Sequence, residues 1–401
     1  MTLVLFSSRA LAGVAQSLIF VLLARQVPSS LLGWVSSFIA IGTFGVSVCD
    51  LGVGTLLLRV HARSAKSEKQ AAILQISAYG MLVLSAALAV IFGIAYTGKF
   101  SWPSAILLIF WLATERNSET WLAMAIAESR HAVVAGVVLV RRLLPLGAFV
   151  ILLARRFDAV FAFAIAQAIG GLIGVIIARV SLSDSFVRTP RFRSAASVIR
   201  ESRPFWIAVA SSQSRELETS IVSGFLGGAD AGLYALGMRL IRPFQLLAVS
   251  LAQASLVAHT RDGGRRARRA ASRIGLFAVA AALIALVIAQ FVPWTLERVV
   301  GSQYVHASFV VQVFLVSASF ISLGSPLASI LQALGDERMV AQLAVSAAAS
   351  ATSWCFIAGA SHNLGLLAFG VSAIYVVKFW ALEIRLLILS HRGHVKGDVR
   401  V

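Results

Sequence analysis

Charge is what this sequence has least of. Only 13% of its 401 residues are Asp, Glu, Lys or Arg, about half the quarter that covers a soluble domain of ordinary composition. Most of the surface must therefore meet something other than water. Cysteine is nearly missing as well: Cys49 and Cys355 both fall inside apolar stretches, which excludes a disulfide framework and a zinc site. There is no phosphate loop, Gly-x-Gly-x-x-Gly, nucleophile elbow or His/Cys metal spacing. No enzyme chemistry, cofactor or metal is expected. Acidic residues number 17 against 35 basic ones, leaving a net charge of +18. That balance needs no nucleic acid to explain it, because Arg and Lys collect in the cytoplasmic loops of membrane proteins.

What the chain does have is apolar length. Hydrophobic residues make up 59%, the mean hydropathy is +0.87, and the apolar residues arrive in blocks near the ~20 residues that cross a bilayer. The spans read as about 8–27, 31–58, 71–97, 103–127, 132–154, 159–180, 204–228, 231–257, 274–292, 307–333, 339–360 and 365–390. Each must be a helix, since backbone amides cannot go unpaired in hydrocarbon. The first block shows no cleavage site and reads as a retained span. The expected class is all-α, polytopic, with 12 transmembrane helices.

Basic residues give the orientation. With the N-terminus inside, Arg9, the Arg59–Lys69 group, Arg130, the 179–203 group, the 261–273 group, Arg338 and the C-terminal group place 22 Lys or Arg on one side. The other side has five: Arg25, Lys99, Arg155, Arg156 and Arg298. Both termini are therefore expected in the cytoplasm of a multi-pass cytoplasmic (inner) membrane protein. The Arg-rich stretch 261–273 reads as an anchor at the anionic leaflet.

The longest polar connection, 181–203, divides the chain into an N-terminal six-helix lobe, 1–180, and a C-terminal one, 204–401. A faint echo supports two repeats. Leu32-Gly33-Trp34 opens span two and Ala231-Gly232-Leu233 opens span eight, each followed about thirty residues on by an Arg, Arg63 or Arg261. Transporters built from repeats hold their site between them.

Charges inside the spans are the informative residues, since each costs roughly 2.5–3.5 kcal/mol at a helix centre. At 1.5 Å per residue, Glu115, Arg116 and Glu119 in span four reach the same central depth as Arg141 and Arg142 in span five. So do Arg215, Glu216 and Glu218 in span seven, Arg239 and Arg242 in span eight, and Lys378 in span twelve. Seven cations against four carboxylates should face a polar cavity and partly pair. Helical spacing places Glu115 with Glu119, Arg215 with Glu218, and Arg239 with Arg242 on common faces. Two readings stay open: interhelical ion pairs that close a bundle, or a hydrated cationic cavity whose arginines grip phosphate. In the second, Arg141, Arg142, Arg215, Arg239, Arg242 and Lys378 bind the anion, while Glu115, Glu119 or Glu218 is a candidate for a coupling proton and Arg116 and Glu216 for ion pairing. Pro145 and Pro243 release the carbonyls of Arg141 and Arg239, and Pro326 should bend span ten. All three are gating candidates or plain kinks. Asp50, near the cytoplasmic end of span two, is expected to pair with Arg59 or Arg63.

Three stretches carry a resemblance: Leu23-Ala24-Arg25-Gln26-Val27-Pro28 followed by Leu32-Gly33; Asp50-Leu51-Gly52-Val53-Gly54 followed by Arg59; and Gly227-Gly228-Ala229-Asp230-Ala231-Gly232-Leu233-Tyr234. In their order and spacing the chain resembles a polysaccharide (O-antigen type) flippase of the multidrug/oligosaccharidyl-lipid/polysaccharide exporter superfamily. The resemblance implies two six-helix lobes in a V, alternating access, and a substrate in which an undecaprenyl-type lipid carries sugar on a phosphate or pyrophosphate. Membrane lipids, a glycan polymerase and glycosyltransferases would be partners. Glu218 stands where the family often has an Asp in span seven, and several relatives have fourteen spans where this chain has room for twelve. The alternatives are a drug or cation antiporter of the same superfamily, which should have an acidic cavity, and a non-flippase component of cell-surface glycan assembly, a polymerase or a scaffold. Polymerases and ligases usually carry a sizeable external loop, and the longest here, about 293–306, is short.

Overall fold

A computed structural model describes residues 2–63, 73, 98–99, 101–182, 193–262 and 267–391. Span three, 71–97, lies almost wholly outside the described residues. The first lobe contains α1 (Thr2–Gln26), α2 (Ser29–Cys49), α3 (Val53–Arg63), α4 (Trp102–Ala127), α5 (His131–Ala154) and α6 (Ala159–Ser181). The second contains α7 (Arg193–Gln213), α8 (Leu217–Phe225), α9 (Gly228–Leu240), α10 (Arg242–Asp262), α11 (Ala267–Ala289), α12 (Ser308–Ala333), α13 (Glu337–Ala360) and α14 (Leu364–His391). No strand occurs among the described residues. The fold is that of a twelve-span, two-lobed membrane protein.

Among the described residues, eight helices are long and apolar enough to cross a membrane. The other described spans miss that standard for local reasons. Span four, α4, carries Glu115, Arg116 and Glu119. Span two, whose α2 is among the eight, is one helix in the sequence but two in the structure, because Leu51 and Gly52 take positive φ values of 51° and 68°. Span seven passes through a 3-10 turn at Ser214–Glu216 between α7 and α8. Span eight breaks at Ile241, so Pro243 sits in the first turn of α10 and not inside a continuous helix. Pro145 and Pro326 do lie within helices, α5 and α12.

Two further expectations are corrected. The connection 181–203 is not all loop, because α7 begins at Arg193, and 183–192 lies outside the described residues. Span nine starts earlier than expected, at Ala267, which puts Arg268, Arg269 and Arg273 of the basic stretch on a helix.

Within the first lobe α6 packs against α4 and α5, and α1 against α5; in the second α12 packs against α10, α11 and α14. The lobes meet along two seams, α2 with α7–α9 and α1 with α10. Glycine permits the tightest contacts. A Cβ on Gly33 would overlap the Gly228 carbonyl, and one on Gly232 the Ser29 carbonyl. These lie on the side away from the termini, where Arg25 also donates to the Arg298 carbonyl at 3.2 Å and Tyr304 to that of Ala24 at 3.3 Å. Toward the termini, Gly52 presses on the Trp206 backbone, the Trp206 indole donates to the Val48 carbonyl at 2.7 Å, and Arg59 lies 3.5 Å from Glu337. The lobes thus touch at both ends.

Candidate functional site

The deepest charges assemble by a simple device, small residues that let long cationic arms run between helices. Gly174 of α6 leaves no room for a Cβ beside the Arg141 stem, and Gly170 none beside Pro145. The Arg141 guanidinium therefore reaches α4, where it donates to Glu115 and Glu119 at 2.8 Å each and to the Ser118 hydroxyl. Its neighbour Arg142 grips both oxygens of Glu115, one at 3.0 Å. One helical turn brings Glu115 and Glu119 to the same arginine, as their spacing predicts.

Asp50 is fully buried and takes its ion pair from Arg116 of α4, with the Gly54 amide as a further donor. The expected pairing with Arg59 is not the one formed; the Arg63 side chain lies outside the described residues. The turn at Leu51–Gly52 swings Asp50 inward, and Arg59 goes to Glu337 and the Phe205 ring in the other lobe.

In the second lobe Arg242 pairs with Glu216 at 3.0 Å and donates to Gln245 at 3.1 Å. Glu218 has no arginine on its oxygens. It accepts from Tyr234 at 2.6 Å and Tyr375 at 3.0 Å. Arg215 lies within Coulombic reach of Glu218, as their shared face predicts, but makes no direct ion pair with it; it stacks over the Tyr375 ring at 5.1 Å and contacts the Met238 sulfur at 3.2 Å. Tyr375 thus stands between the two, donating to Glu218 and offering its face to Arg215. Arg239 rests over the Phe20 ring of the opposite lobe at 5.1 Å. Lys378 lies within Coulombic reach of Arg215.

The arrangement sorts the cations into two kinds. Arg116, Arg141, Arg142 and Arg242 are bound to carboxylates. Arg215 and Arg239 sit on aromatic faces, a contact worth about 2 kcal/mol when desolvated, and neither they nor Lys378 has a carboxylate partner among the described residues. The predicted anion-binding set is therefore half occupied by acids and half available.

The sequence reading missed Arg9. Taken as a cytoplasmic topology charge, it is 3% exposed and lies within Coulombic reach of Glu119, Arg141 and Arg142. Its position only two turns into an apolar block was the available signal. With Arg9 and Asp50 included, eight buried or half-buried cations stand against five carboxylates, an excess of three. Both lobes contribute to one cluster, since Arg239 is in Coulombic reach of Arg142, Arg242 and Glu216. Glu115, Arg116, Glu119 and Glu216 keep 13–27% of their side-chain surface although protein surrounds them. No group of three or more metal-ligating side chains occurs among the described residues.

No family model and no curated protein matches the chain. Solved structures do. A mutant of the Vibrio cholerae MATE transporter VcmN superposes with a TM-score of 0.70 at 14% identity, covering 98% of each chain. A MOP superfamily transporter from Pyrococcus furiosus, described as having a binding pocket of reverse polarity that suggests a different function, gives 0.67 at 15%, covering 98% of this chain and 94% of that one. A multidrug resistance MATE family transporter of the MOP superfamily in its outward-facing conformation gives 0.65 at 16%, with 98% and 94% covered. At such identities the likeness establishes the fold, and this chain shares the two-lobed fold of those MATE transporters.

Proposed function

We propose that the protein is a membrane transporter that works by alternating access, and that its central site receives the anionic head of an amphiphile. The observation that carries this is the cluster to which both lobes contribute: an excess of three positive charges, with Arg215, Arg239 and Lys378 in no direct ion pair among the described residues. A dianionic phosphate or pyrophosphate would offset most of that excess, and guanidinium groups hold its oxygens with paired donors. Arginines already bound to Glu115 and Glu216 are held extended at the same depth, so an incoming phosphate can exchange with a carboxylate at low reorganisation cost. A lipid-linked oligosaccharide is the substrate of this class that the sequence resemblance favours, moved from the cytoplasmic leaflet if the basic side is inside.

Alternating access follows from the two seals. Gly33, Gly228 and Gly232 close one end, and Gly52 with Trp206 and Arg59 with Glu337 the other. Opening one while the other holds exposes the cluster to a single side.

A second reading has its own support. One structural neighbour is a multidrug resistance MATE family transporter by name and another a MATE transporter, so fold likeness points to a drug or cation antiporter, and Glu218 between two tyrosines is a carboxylate that could take a cation or proton. Proteoliposomes separate the two. The anionic reading expects translocation of a fluorescent polyprenyl-phosphate sugar and no extrusion of ethidium. Ethidium extrusion along a proton or sodium gradient, with the polyprenyl phosphate left in place, would establish the antiporter instead.

A further inference from the structure

Beside the ionic cluster, the α2–α8 seam holds a cleft of about 720 Å³. Ile41, Phe44 and Cys49 of α2, Leu217 and Ile221 of α8, and Phe356 of α13 form most of its wall. Ser220, one of its few polar groups, already donates to the Ser37 carbonyl at 3.1 Å. Phe356, 49% exposed, stands at its rim, so the cleft opens on the apolar outer surface of a membrane-spanning helix.

Its inner wall is continuous with the charges. Cys49 precedes Asp50, the partner of Arg116, and Leu217 lies between Glu216, the partner of Arg242, and Glu218. Adjacent side chains on the same two elements thus face a hydrocarbon-lined space on one side and the ion-pair network on the other. A void of this size and polarity at bilayer depth will not hold water, which needs polar partners. It will hold hydrocarbon, and a chain moving in from lipid gives up no apolar burial in doing so.

Resting on the anionic-amphiphile reading above, we infer that this cleft is the seat of the substrate's hydrocarbon tail, so that head and tail bind together across the α2–α8 seam. The site is bipartite. Cations of both lobes take the phosphate, and Phe44, Ile221 and Phe356 take the chain segment next to it. The seam contacts Ser37–Thr219 and Ser220–Ser37 are the ones a tail would part as the lobes rock.

The test uses the full chain in phosphatidylcholine nanodiscs and dodecyl phosphate carrying a terminal diazirine, with crosslinks mapped by mass spectrometry. Label should concentrate on residues 41–49 and 352–356, be competed by unlabelled dodecyl phosphate, and fall several-fold in Ile221→Trp, which fills the cleft. Phe44→Trp, filling it from the other wall, should act alike. A diazirine-tailed phosphocholine should label the cleft several-fold less. Competable label that falls elsewhere, such as on the outward face of α11, would overturn the tail site and leave the anionic head reading standing. Equal labelling of the cleft by the phosphocholine probe would overturn both.

Discussion

Ser17 of α1 donates its hydroxyl to the carbonyl oxygen of Arg239 at 3.0 Å, so a residue of one lobe bonds the main chain of the other where span eight breaks. The pair lies at the level of the ionic cluster, and the Arg239 side chain rests over Phe20 of the same helix as Ser17. Backbone and side chain of one residue near the end of α9 thus hold α1 twice, beside the α1–α10 seam.

That double contact makes the seam adjustable. An interhelical hydrogen bond in a membrane averages about 0.6 kcal/mol, roughly a threefold change in an equilibrium between closed and open lobes. Ser17→Ala should shift interlobe distances measured by spin-label spectroscopy toward the open state without loss of folding. An unchanged distance distribution would show that the bond does not bias the lobes.

Closure away from the termini depends on bare backbone. Gly33→Ala places a Cβ where the Gly228 carbonyl lies, and no flexible side chain is there to yield. The variant should insert normally but fail to seal that end, so that Ser30→Cys in its background reacts faster with a water-soluble maleimide than it does beside Gly33. Equal reactivity would remove Gly33 from the gate.

The Asp50–Arg116 pair should be structural in the first instance. Removing one partner of a buried pair costs about 3–5 kcal/mol, because the other charge stays buried alone. Arg116→Ala should lower the thermal midpoint sharply, and Asp50→Asn combined with Arg116→Gln should recover most of the loss. A single mutant as stable as the parent would mean that Asp50 finds another donor when Arg116 is gone.

Gly174→Ala tests how Arg141 is positioned. The added methyl meets the Arg141 stem and should push its guanidinium off Glu115 and Glu119. Transport should fall while expression and oligomeric behaviour hold. Gly136→Ala, at a position where a Cβ meets nothing, is the matched control and should be silent.

The helical spans among the described residues, and the gathering of their charges, were legible in the sequence because hydrocarbon leaves little choice of secondary structure and charge there is costly. The pairings were not. Which carboxylate meets Arg141 depends on Gly170 and Gly174 letting α5 and α6 close on α4, a matter of packing between helices far apart in sequence. The helix breaks at Leu51–Gly52, Ser214–Glu216 and Ile241 were hidden inside unbroken apolar runs, and the first of them is what turned Asp50 from Arg59 to Arg116. Arg9 was misplaced because closeness to the N-terminus reads as closeness to the cytoplasm.

The central claim is that the site selects negative charge, and ligand-dependent thermal stability of the purified protein tests it most directly. Dodecyl phosphate should raise the unfolding midpoint, dodecyltrimethylammonium should not, and Arg239→Ala with Lys378→Ala should abolish the rise. Stabilisation by the ammonium amphiphile and not by the phosphate would contradict the account.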